Sequence, residues 1–319
     1  MAAAEAGGRV YVLGGFVSQS RSSSLNQAYD PAMDRWQELA SMPRELNHVG
    51  AVGVDGMVYA IGGFSNPNEG AVADAYVYDP DADEWTEIPP LPNPRGALAV
   101  TELDGKIHAI GGRDREDLDT HEVYDPATDA WSEISPLPNP RGALAVTELD
   151  GKIHAIGGRD SEDLDTHEVY DPATDAWGEL APLPTAREHM GAAVVEGKIY
   201  VPGGRFETFQ DNTGVHEAYD PAADEWQILA PLPTPRSGVA TVALNRLVLV
   251  FGGEGSSGTF EENEAYDPET DSWTTLAPLP TPRHGIGAAA INNVVYVPGG
   301  ATTPGGSQQS GTNEAFTLS

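Results

Sequence analysis

The sequence contains no cysteine and only three lysines, at positions 106, 152 and 198. The lack of cysteine excludes disulfides, thiolate metal sites and cysteine nucleophiles. No run of about 18 apolar residues occurs, so no transmembrane helix is predicted. The first residues lack the charged and then apolar pattern of a secretory signal, and we therefore expect a cytoplasmic protein.

Positive charge is scarce throughout the chain. The 319 residues include 17 Lys and Arg against 49 Asp and Glu, which gives a formal net charge of −32. A charge of this size repels nucleic acids and anionic membrane surfaces, and it excludes both as partners. Many acids with few lysines are typical of halophilic proteins, in which molar salt screens the self-repulsion. We therefore expect a high-salt cytoplasm and a stability that rises with salt.

A repeat of 46 to 49 residues runs through the whole sequence. A Gly-Gly pair marks each repeat, at positions 14, 62, 111, 157, 203, 252 and 299. Tyr-Asp-Pro follows each of the first six pairs, and a Trp lies seven residues after each of these Tyr. The Tyr and Trp residues are Tyr29 and Trp36, Tyr78 and Trp85, Tyr124 and Trp131, Tyr170 and Trp177, Tyr219 and Trp226, and Tyr266 and Trp273. A fixed period of this length indicates one supersecondary unit per repeat.

One repeat has the pattern of four short strands. Residues 142–146 are small and apolar, which predicts an innermost strand, and 152–156 alternate in polarity. Asp150-Gly151 between them is a two-residue hairpin signal. Residues 168–170 predict a third strand, and Trp177 begins the fourth. Nothing in the repeat has the 3.6-residue period of a helix.

This combination of period, Gly pair, Tyr and Trp resembles the kelch repeat, a blade of a β-propeller. The resemblance covers the whole chain and implies an all-β, seven-bladed kelch-type β-propeller of four-stranded antiparallel blades, as one domain over 1–319. The expected repeat units are approximately 1–41, 42–91, 92–137, 138–183, 184–232, 233–279 and 280–319. A six-bladed ring with leftover terminal strands is the alternative, because the last repeat stops after its third strand. The Gly pairs, Tyr and Trp are expected to be structural.

Two neighbouring repeats are almost identical. Residues 92–137 and 138–183 differ at only four positions: Arg115/Ser161, Ser132/Gly178, Ile134/Leu180 and Ser135/Ala181. Such similarity indicates a recent blade duplication, natural or engineered.

Arginine recurs at two loop positions that share one face in kelch propellers, according to the resemblance. The first ends the Pro-rich turn before each inner strand, and the second directly follows the Gly pair. Guanidinium groups bind carboxylates and phosphates in a bidentate manner. The predicted ligand-binding residues are Arg44, Arg95, Arg141, Arg187, Arg236 and Arg283 at the first position, and Arg113, Arg159 and Arg205 at the second.

The leading functional prediction is a non-catalytic binding scaffold whose loop face recognises an acidic protein segment or a small anion. It requires no cofactor and no metal. Copper oxidation of the kelch type is excluded because it needs a cysteine cross-linked to tyrosine. We expect a monomer, with a strand-swapped dimer as the alternative because an open strand edge pairs readily with another chain.

Two other functional classes stay open. A sugar-acid mutarotase or epimerase of kelch type would need an acid–base pair beside arginines, and the run at 187–189 supplies Glu188 and His189. This run departs from the Arg-Gly-Ala and Arg-Ser-Gly of neighbouring repeats. The other class is a purely architectural repeat array without a ligand. The residues favour a protein that is not an enzyme.

Overall fold

The computed structural model describes residues 1–17, 21–65, 70–306, 308, 310 and 312–318. Seven antiparallel sheets of three or four strands follow one another in these residues, within two compact units, Met1–Gly142 and Ala143–Ser319. The prediction of an all-β, seven-bladed propeller is confirmed, and the six-bladed alternative is wrong because each repeat forms its own sheet. No helix in the described part of the chain has the length and apolar character needed to traverse a bilayer.

The first unit contains three four-stranded sheets, which we call blades 1 to 3. Their strands are Ala2–Ala6, Arg9–Leu13, Asn26–Asp30 and Arg35–Glu38 in blade 1, Gly50–Val54, Met57–Ile61, Ala75–Asp79 and Glu84–Glu87 in blade 2, and Ala99–Leu103, Lys106–Ile110, His121–Asp125 and Ala130–Glu133 in blade 3. A two-stranded piece, Phe16–Val17 with Arg21–Ser22, lies in a loop of blade 1. The segment Ala2–Ala6 is the inner strand of blade 1 and pairs with Arg9–Leu13.

The second unit contains blades 4 to 7. Their strands are Ala145–Leu149, Lys152–Ile156, His167–Asp171 and Ala176–Glu179 in blade 4, Ala193–Val195, Lys198–Pro202, His216–Asp220 and Glu225–Ile228 in blade 5, Ala240–Leu244, Leu247–Phe251, Asn263–Asp267 and Ser272–Thr275 in blade 6, and Ala289–Ile291, Val294–Pro298 and Asn313–Thr317 in blade 7. Loop pieces are Arg159–Asp160 with Glu162–Asp163, Glu254–Gly255 with Gly258–Thr259, and the 3-10 turn Pro304–Gly306.

The inner strand of blade 4 begins later than the sequence predicts. The predicted strand is 142–146, whereas the observed strand is Ala145–Leu149. Ala143 has a φ of 54°, in the left-handed region, so extended backbone cannot begin there. The hairpin at Asp150 and Gly151 is as predicted, with φ values of 53° and 74° that match a type I′ turn.

In blades 2, 3, 5 and 6 the repeated Trp donates to a backbone carbonyl of the preceding blade, which is a structural role, as predicted. In blade 5 the Tyr219 hydroxyl donates to Asp224 at 2.8 Å, and Asp224 accepts the Ala181 amide of blade 4 at 2.9 Å. Trp226 Nε1 donates to the Ala181 carbonyl at 2.8 Å. Tyr219 also lies in an apolar core that blades 4 and 5 share. The Tyr219 ring is therefore buried while its hydroxyl keeps a hydrogen-bond partner.

Candidate functional site

Five of the six arginines predicted at the end of the Pro-rich turns are fully buried. They are Arg95, Arg141, Arg187, Arg236 and Arg283, each with 0% exposure. Arg187 is representative: its Nε donates to Gly203 O at 2.9 Å and its Nη2 to Val201 O at 2.8 Å. Its remaining charge is paired with Glu217, and both side chains are 0% exposed. These guanidinium groups hold the start of a blade against its second and third strands, so they do not present a ring of ligand contacts.

Four ion pairs of this kind are described, each with a glutamate that sequence reasoning did not single out. The partners lie within blades 3, 5, 6 and 7, as Arg95 with Glu122, Arg187 with Glu217, Arg236 with Glu264 and Arg283 with Glu314. The signal was present, because a Glu stands two residues before the Tyr of the same repeat (before Phe316 in the last one). Thr185 completes one pair by donating its hydroxyl to Glu217 at 2.8 Å. A buried guanidinium without such a partner would be strongly destabilising.

Arg44 is the exception among the six. Its Nη1 contacts Asp74 at 2.8 Å, and its side chain is 40% exposed. Leu46, two residues later, takes the buried position, with 0% exposure and a carbonyl that accepts the Gly15 amide at 2.8 Å. The equivalent bond in the next blade runs from Gly63 N to Arg95 O, at 2.9 Å. Blade 2 therefore replaces the buried arginine with an apolar side chain.

The arginines that follow the Gly pairs have different surroundings. Arg113 is 54% exposed and lies 3.8 Å from Asp117 of its own loop. Arg159, at the same position of the duplicated repeat, is 31% exposed and lies 3.5 Å from Asp163. Both ion pairs are long, and Arg159 Nη2 in addition donates to Ser161 O at 3.4 Å.

Arg205, the third of these arginines, is the centre of an ionic cluster within the second unit. Its Nε lies 2.8 Å from Glu188 Oε1 and its Nη1 lies 2.9 Å from Glu254 Oε1. Its Nη2 donates to His189 Nε2 at 3.2 Å, and His284 Nδ1 lies 3.4 Å from Glu254 Oε2. We call these five residues the Arg205 network. It brings together the predicted pair Glu188 and His189 with one predicted arginine, and it adds Glu254 and His284.

Local backbone pairing positions this network. A backbone bridge joins Glu188 to Arg205, and another joins Ser237 to Glu254. Both bridges pair the start of a blade with the loop after its Gly pair. The loops of blades 5 and 6 therefore bring the side chains of Glu188, Arg205 and Glu254 together, while the backbone groups in these bridges remain hydrogen-bonded.

The electrostatics of the network suit binding better than proton transfer. Burial alone would raise the pKa of Glu188, but contacts with His189 and Arg205 outweigh it and lower that pKa to about 2. A carboxylate that stays ionised at neutral pH is a weak general base, because efficient bases have a pKa near the working pH. The Nη2 of Arg205 also donates to His189 Nε2, which holds the imidazole beside the carboxylate of Glu188. In the described ranges no group of three or more His, Asp and Glu could hold a metal ion.

In blade 2 the positions of Glu188 and Arg205 are occupied by Asn47 and Phe64. Asn47 donates to Phe64 O at 2.9 Å and to Ser22 Oγ at 2.7 Å. His48 contacts the rings of Phe16 and Phe64 edge-on, with centroid distances of 5.6 and 5.9 Å. An aromatic cluster in the first unit thus corresponds to the ionic network in the second.

Two known proteins are similar to this chain, one over a short stretch of sequence and one in its fold. The chain is 35% identical over 72 residues to "Kelch-like protein terF" of Aspergillus terreus, a match that covers 21% of this chain and 16% of that protein. The solved structure titled "Structure of YjhT" superposes with a TM-score of 0.70 at 16% identity, and the match covers 86% of this chain and 96% of the other. At this identity the likeness concerns the fold, a β-propeller.

A family profile covers most of the sequence in two overlapping segments. The KLHDC2/KLHL20/DRC7 Kelch-repeats domain matches residues 1–158 and 136–300. The repeated Gly pairs, Tyr and Trp lie within these segments and form the blades described above. The chain therefore belongs to the KLHDC2/KLHL20/DRC7 Kelch-repeats domain family.

Proposed function

We propose that this chain is a non-catalytic binding scaffold that recognises an acidic protein segment or a small anion through its exposed loop arginines. Kelch-repeat propellers are generally protein-interaction scaffolds, which supports the first part of the proposal. The observation that carries the second part is the difference in burial among the predicted arginines. The exposed fraction of the side chain is 40% in Arg44, 54% in Arg113 and 31% in Arg159. The five buried arginines at the ends of the Pro-rich turns, which we call the frame arginines, are 0% exposed.

Exposed arginines in loose ion pairs can exchange partners at little cost. A surface ion pair contributes about 0 to 1 kcal/mol, so a carboxylate of a partner competes readily with Asp117 or Asp163. A bidentate arginine contact to a carboxylate or phosphate is among the stronger hydrogen-bonded contacts. Because of the blade duplication the two loops are identical from 113 to 119 and from 159 to 165 except at Arg115, which is Ser161 in the second copy. Arg113 and Arg159 are therefore the contacts we expect to matter most.

The test measures binding of a fluorescently labelled oligoglutamate peptide by anisotropy, with succinate and inorganic phosphate as competitors. We expect saturable binding that weakens by at least about tenfold in the double variant Arg113→Ala/Arg159→Ala, a loss of about 1.4 kcal/mol. Frame arginines are left intact, so the fold is retained.

The matched control is Arg246→Ala. Arg246 is 68% exposed and pairs with Glu196, and it lies on the hairpin turn at the opposite end of the strand from the Gly-pair loop of blade 6. Its removal changes the net charge without touching the proposed face. An equal loss of affinity in this control, or no saturable binding of any of the three anions, would overturn the proposal.

A further inference from the structure

Blade 7 has three strands in the described part of the chain. They lie in the order Ala289–Ile291, Val294–Pro298 and Asn313–Thr317, so the last of them is at the edge of the sheet. In blade 6 the equivalent strand is Asn263–Asp267, which pairs with the outer strand Ser272–Thr275 and buries four of its five residues. None of the five residues of Asn313–Thr317 is buried. An uncovered strand of this kind pairs readily with another chain.

The outer strand of blade 6 joins this blade to blade 5 through an aspartate and a tryptophan. The Asp271 carboxylate accepts the Ala230 amide at 2.8 Å, and Trp273 Nε1 donates to the carbonyl of the same alanine at 2.8 Å. The Trp273 ring also packs on Tyr266, with ring centroids 5.3 Å apart. The outer strand of blade 5 makes the same two bonds to blade 4. We call this arrangement of Asp, Trp and alanine the interblade joint.

Blade 6 carries the alanine of a further interblade joint, but no described residue of blade 7 completes it. Ala277 stands at the position of Ala230, and it is exposed whereas Ala230 is half-buried. Its carbonyl accepts Asn263 Nδ2 of its own blade at 3.2 Å, and its amide has no hydrogen-bond partner among the described residues. Phe316, at the position of Tyr266, is half-buried, whereas Tyr266 is only 1% exposed. Blade 7 therefore leaves uncovered the surface that the Trp of an outer strand covers in blade 6.

The outer strands of blades 1 to 6 share one sequence pattern, Asp-x-Trp-x-x-Leu, with Ile in place of Leu in two of them. The Leu276 amide at the end of this pattern donates to Asn263 O at 2.8 Å, and the equivalent carbonyl in blade 7 belongs to Asn313. Since alternate residues of a strand face the same side, the backbone groups of Asn313, Ala315 and Thr317 point outward at the edge. They can form the same ladder of hydrogen bonds with an added strand.

We propose that the edge of blade 7 binds an extended segment of a partner protein that carries Asp-x-Trp-x-x-Leu and pairs antiparallel with Asn313–Thr317. In strand addition, main-chain hydrogen bonds supply affinity and pockets for alternate side chains supply specificity. The Trp of the segment covers Phe316 and donates to Ala277 O, and its Asp accepts the Ala277 amide. Phe316 has no hydroxyl to offer this Asp, whereas Tyr266 donates to Asp271 at 2.7 Å. The Trp should therefore contribute more to binding than the Asp.

The outer edges of blades 1 to 6 do not offer the same site. Their outer strands have four residues each, and five of the six carry a glutamate. Short and charged edge strands resist pairing with another chain. The edge of blade 7 is also separate from the exposed loop arginines, and the proposal does not depend on their function.

The test is fluorescence anisotropy of a labelled peptide with the sequence of residues 270–278, mixed with the full chain at about 1 M KCl to screen the negative charge of both. We expect saturable binding with a Kd below about 1 mM. Ala in place of the peptide's Trp should weaken binding at least about tenfold, and Asn in place of its Asp about threefold. Pro in place of the residue after the Trp removes an amide that faces the edge, and it should abolish binding. No saturable binding, or an Ala or Pro peptide that binds as well as the original, would overturn the proposal.

Two proline variants of the chain locate the site. Ala315→Pro removes an outward-facing amide of the edge but none of the hydrogen bonds to Val294–Pro298, and proline is tolerated at such edge positions. It should abolish binding of the peptide and leave the melting temperature unchanged. Thr275→Pro is the matched control, because it removes an outward-facing amide from the outer strand of blade 6. Unchanged affinity in Ala315→Pro, or an equal loss in Thr275→Pro, would show that the peptide binds elsewhere and would contradict the proposal.

Amide hydrogen exchange of the unaltered chain tests the same edge without a substitution. Bound peptide should slow the exchange of the Ala315 and Thr317 amides at least about tenfold and leave that of 272–275 unchanged. Protection of the loops at 113–119 or 159–165 instead would place the peptide on the exposed arginines and refute the proposal. A chain that is dimeric in light scattering, and whose dimer excludes the peptide, would show that a second copy covers this edge, which would also refute it.

Discussion

Residues 46–48 in the first unit and 187–189 in the second follow the same backbone path with opposite chemistry. The first residue of each run is fully buried, and the third has a left-handed φ of 48° or 51°. The run in the first unit is Leu-Asn-His and packs against aromatic rings. The run in the second is Arg-Glu-His and joins an ionic network.

This difference shows which side chains the backbone of the blades requires and which it does not. A backbone bridge joins Asn47 to Phe64, and the same kind of bridge joins Glu188 to Arg205. The bridges form with neutral or with charged side chains, so the backbone does not require the charges. Charged groups that the backbone does not require, held at low exposure, are typical of binding sites. The second unit is therefore the better place to look for a small ligand.

The largest expected effect comes from breaking a frame ion pair. Arg187→Leu leaves the buried Glu217 without its counter-ion, and we expect a loss of about 3 to 5 kcal/mol in the free energy of unfolding. Arg187→Leu/Glu217→Tyr copies Leu46 and Tyr76, which pack in one core in blade 2, and should recover most of that loss. Urea denaturation measures both.

The control for this comparison is Arg44→Leu. Because Arg44 is 40% exposed, its ion pair should be worth no more than about 1 kcal/mol. If Arg187→Leu costs no more than this control, the buried pairs are not what stabilises the frame.

Salt should distinguish the contribution of the buried ion pairs to thermal stability from that of the acidic surface. With a net charge of −32, raising KCl from about 0.1 to about 3 M should raise the melting temperature, because screening reduces the self-repulsion. The difference between the wild type and Arg187→Leu should stay constant, since the pair with Glu217 is excluded from solvent. A melting temperature that does not respond to KCl would contradict the halophilic interpretation of the composition.

Lowering the pH should reveal how much the ionised Glu188 contributes to the stability of the folded chain. Its folded-state pKa of about 2 is lower than the ordinary value of 4.5. A carboxyl with a lowered pKa stabilises the folded state above its ordinary pKa, and the contribution disappears as the pH falls toward the folded-state value. Glu188→Asn, which copies Asn47, should therefore be less stable than the wild type above pH 4.5 and approach it near pH 2. Denaturation curves across this range measure the difference, and a constant difference would exclude Glu188 as its source.

The sequence predicts the frame better than the site because the frame is periodic. Seven Gly pairs in register determine the blade count, and the spaced Tyr and Trp locate the contacts between blades. The same regularity is misleading for arginine. Arginine recurs at the position of Arg187 because it pairs with Glu217 or the equivalent glutamate of the same blade. The spacing of these arginines does not show that they are buried. Glu188 and His189, which break the repeat, are the residues that the structure gathers around Arg205.

The smallest expected effect concerns the left-handed position itself. Ala97→Gly in the first unit relieves a φ of 53°, and we expect it to stabilise the chain by up to about 1 kcal/mol. His189→Gly relieves a similar φ of 51° but removes the acceptor of Arg205 Nη2. Its gain should therefore be smaller or absent, and the difference between the two variants measures the contribution of that contact. Equal stabilisation in thermal unfolding would mean that the contact with Arg205 contributes nothing, and that His189 is retained at a strained position for a reason outside the folded frame.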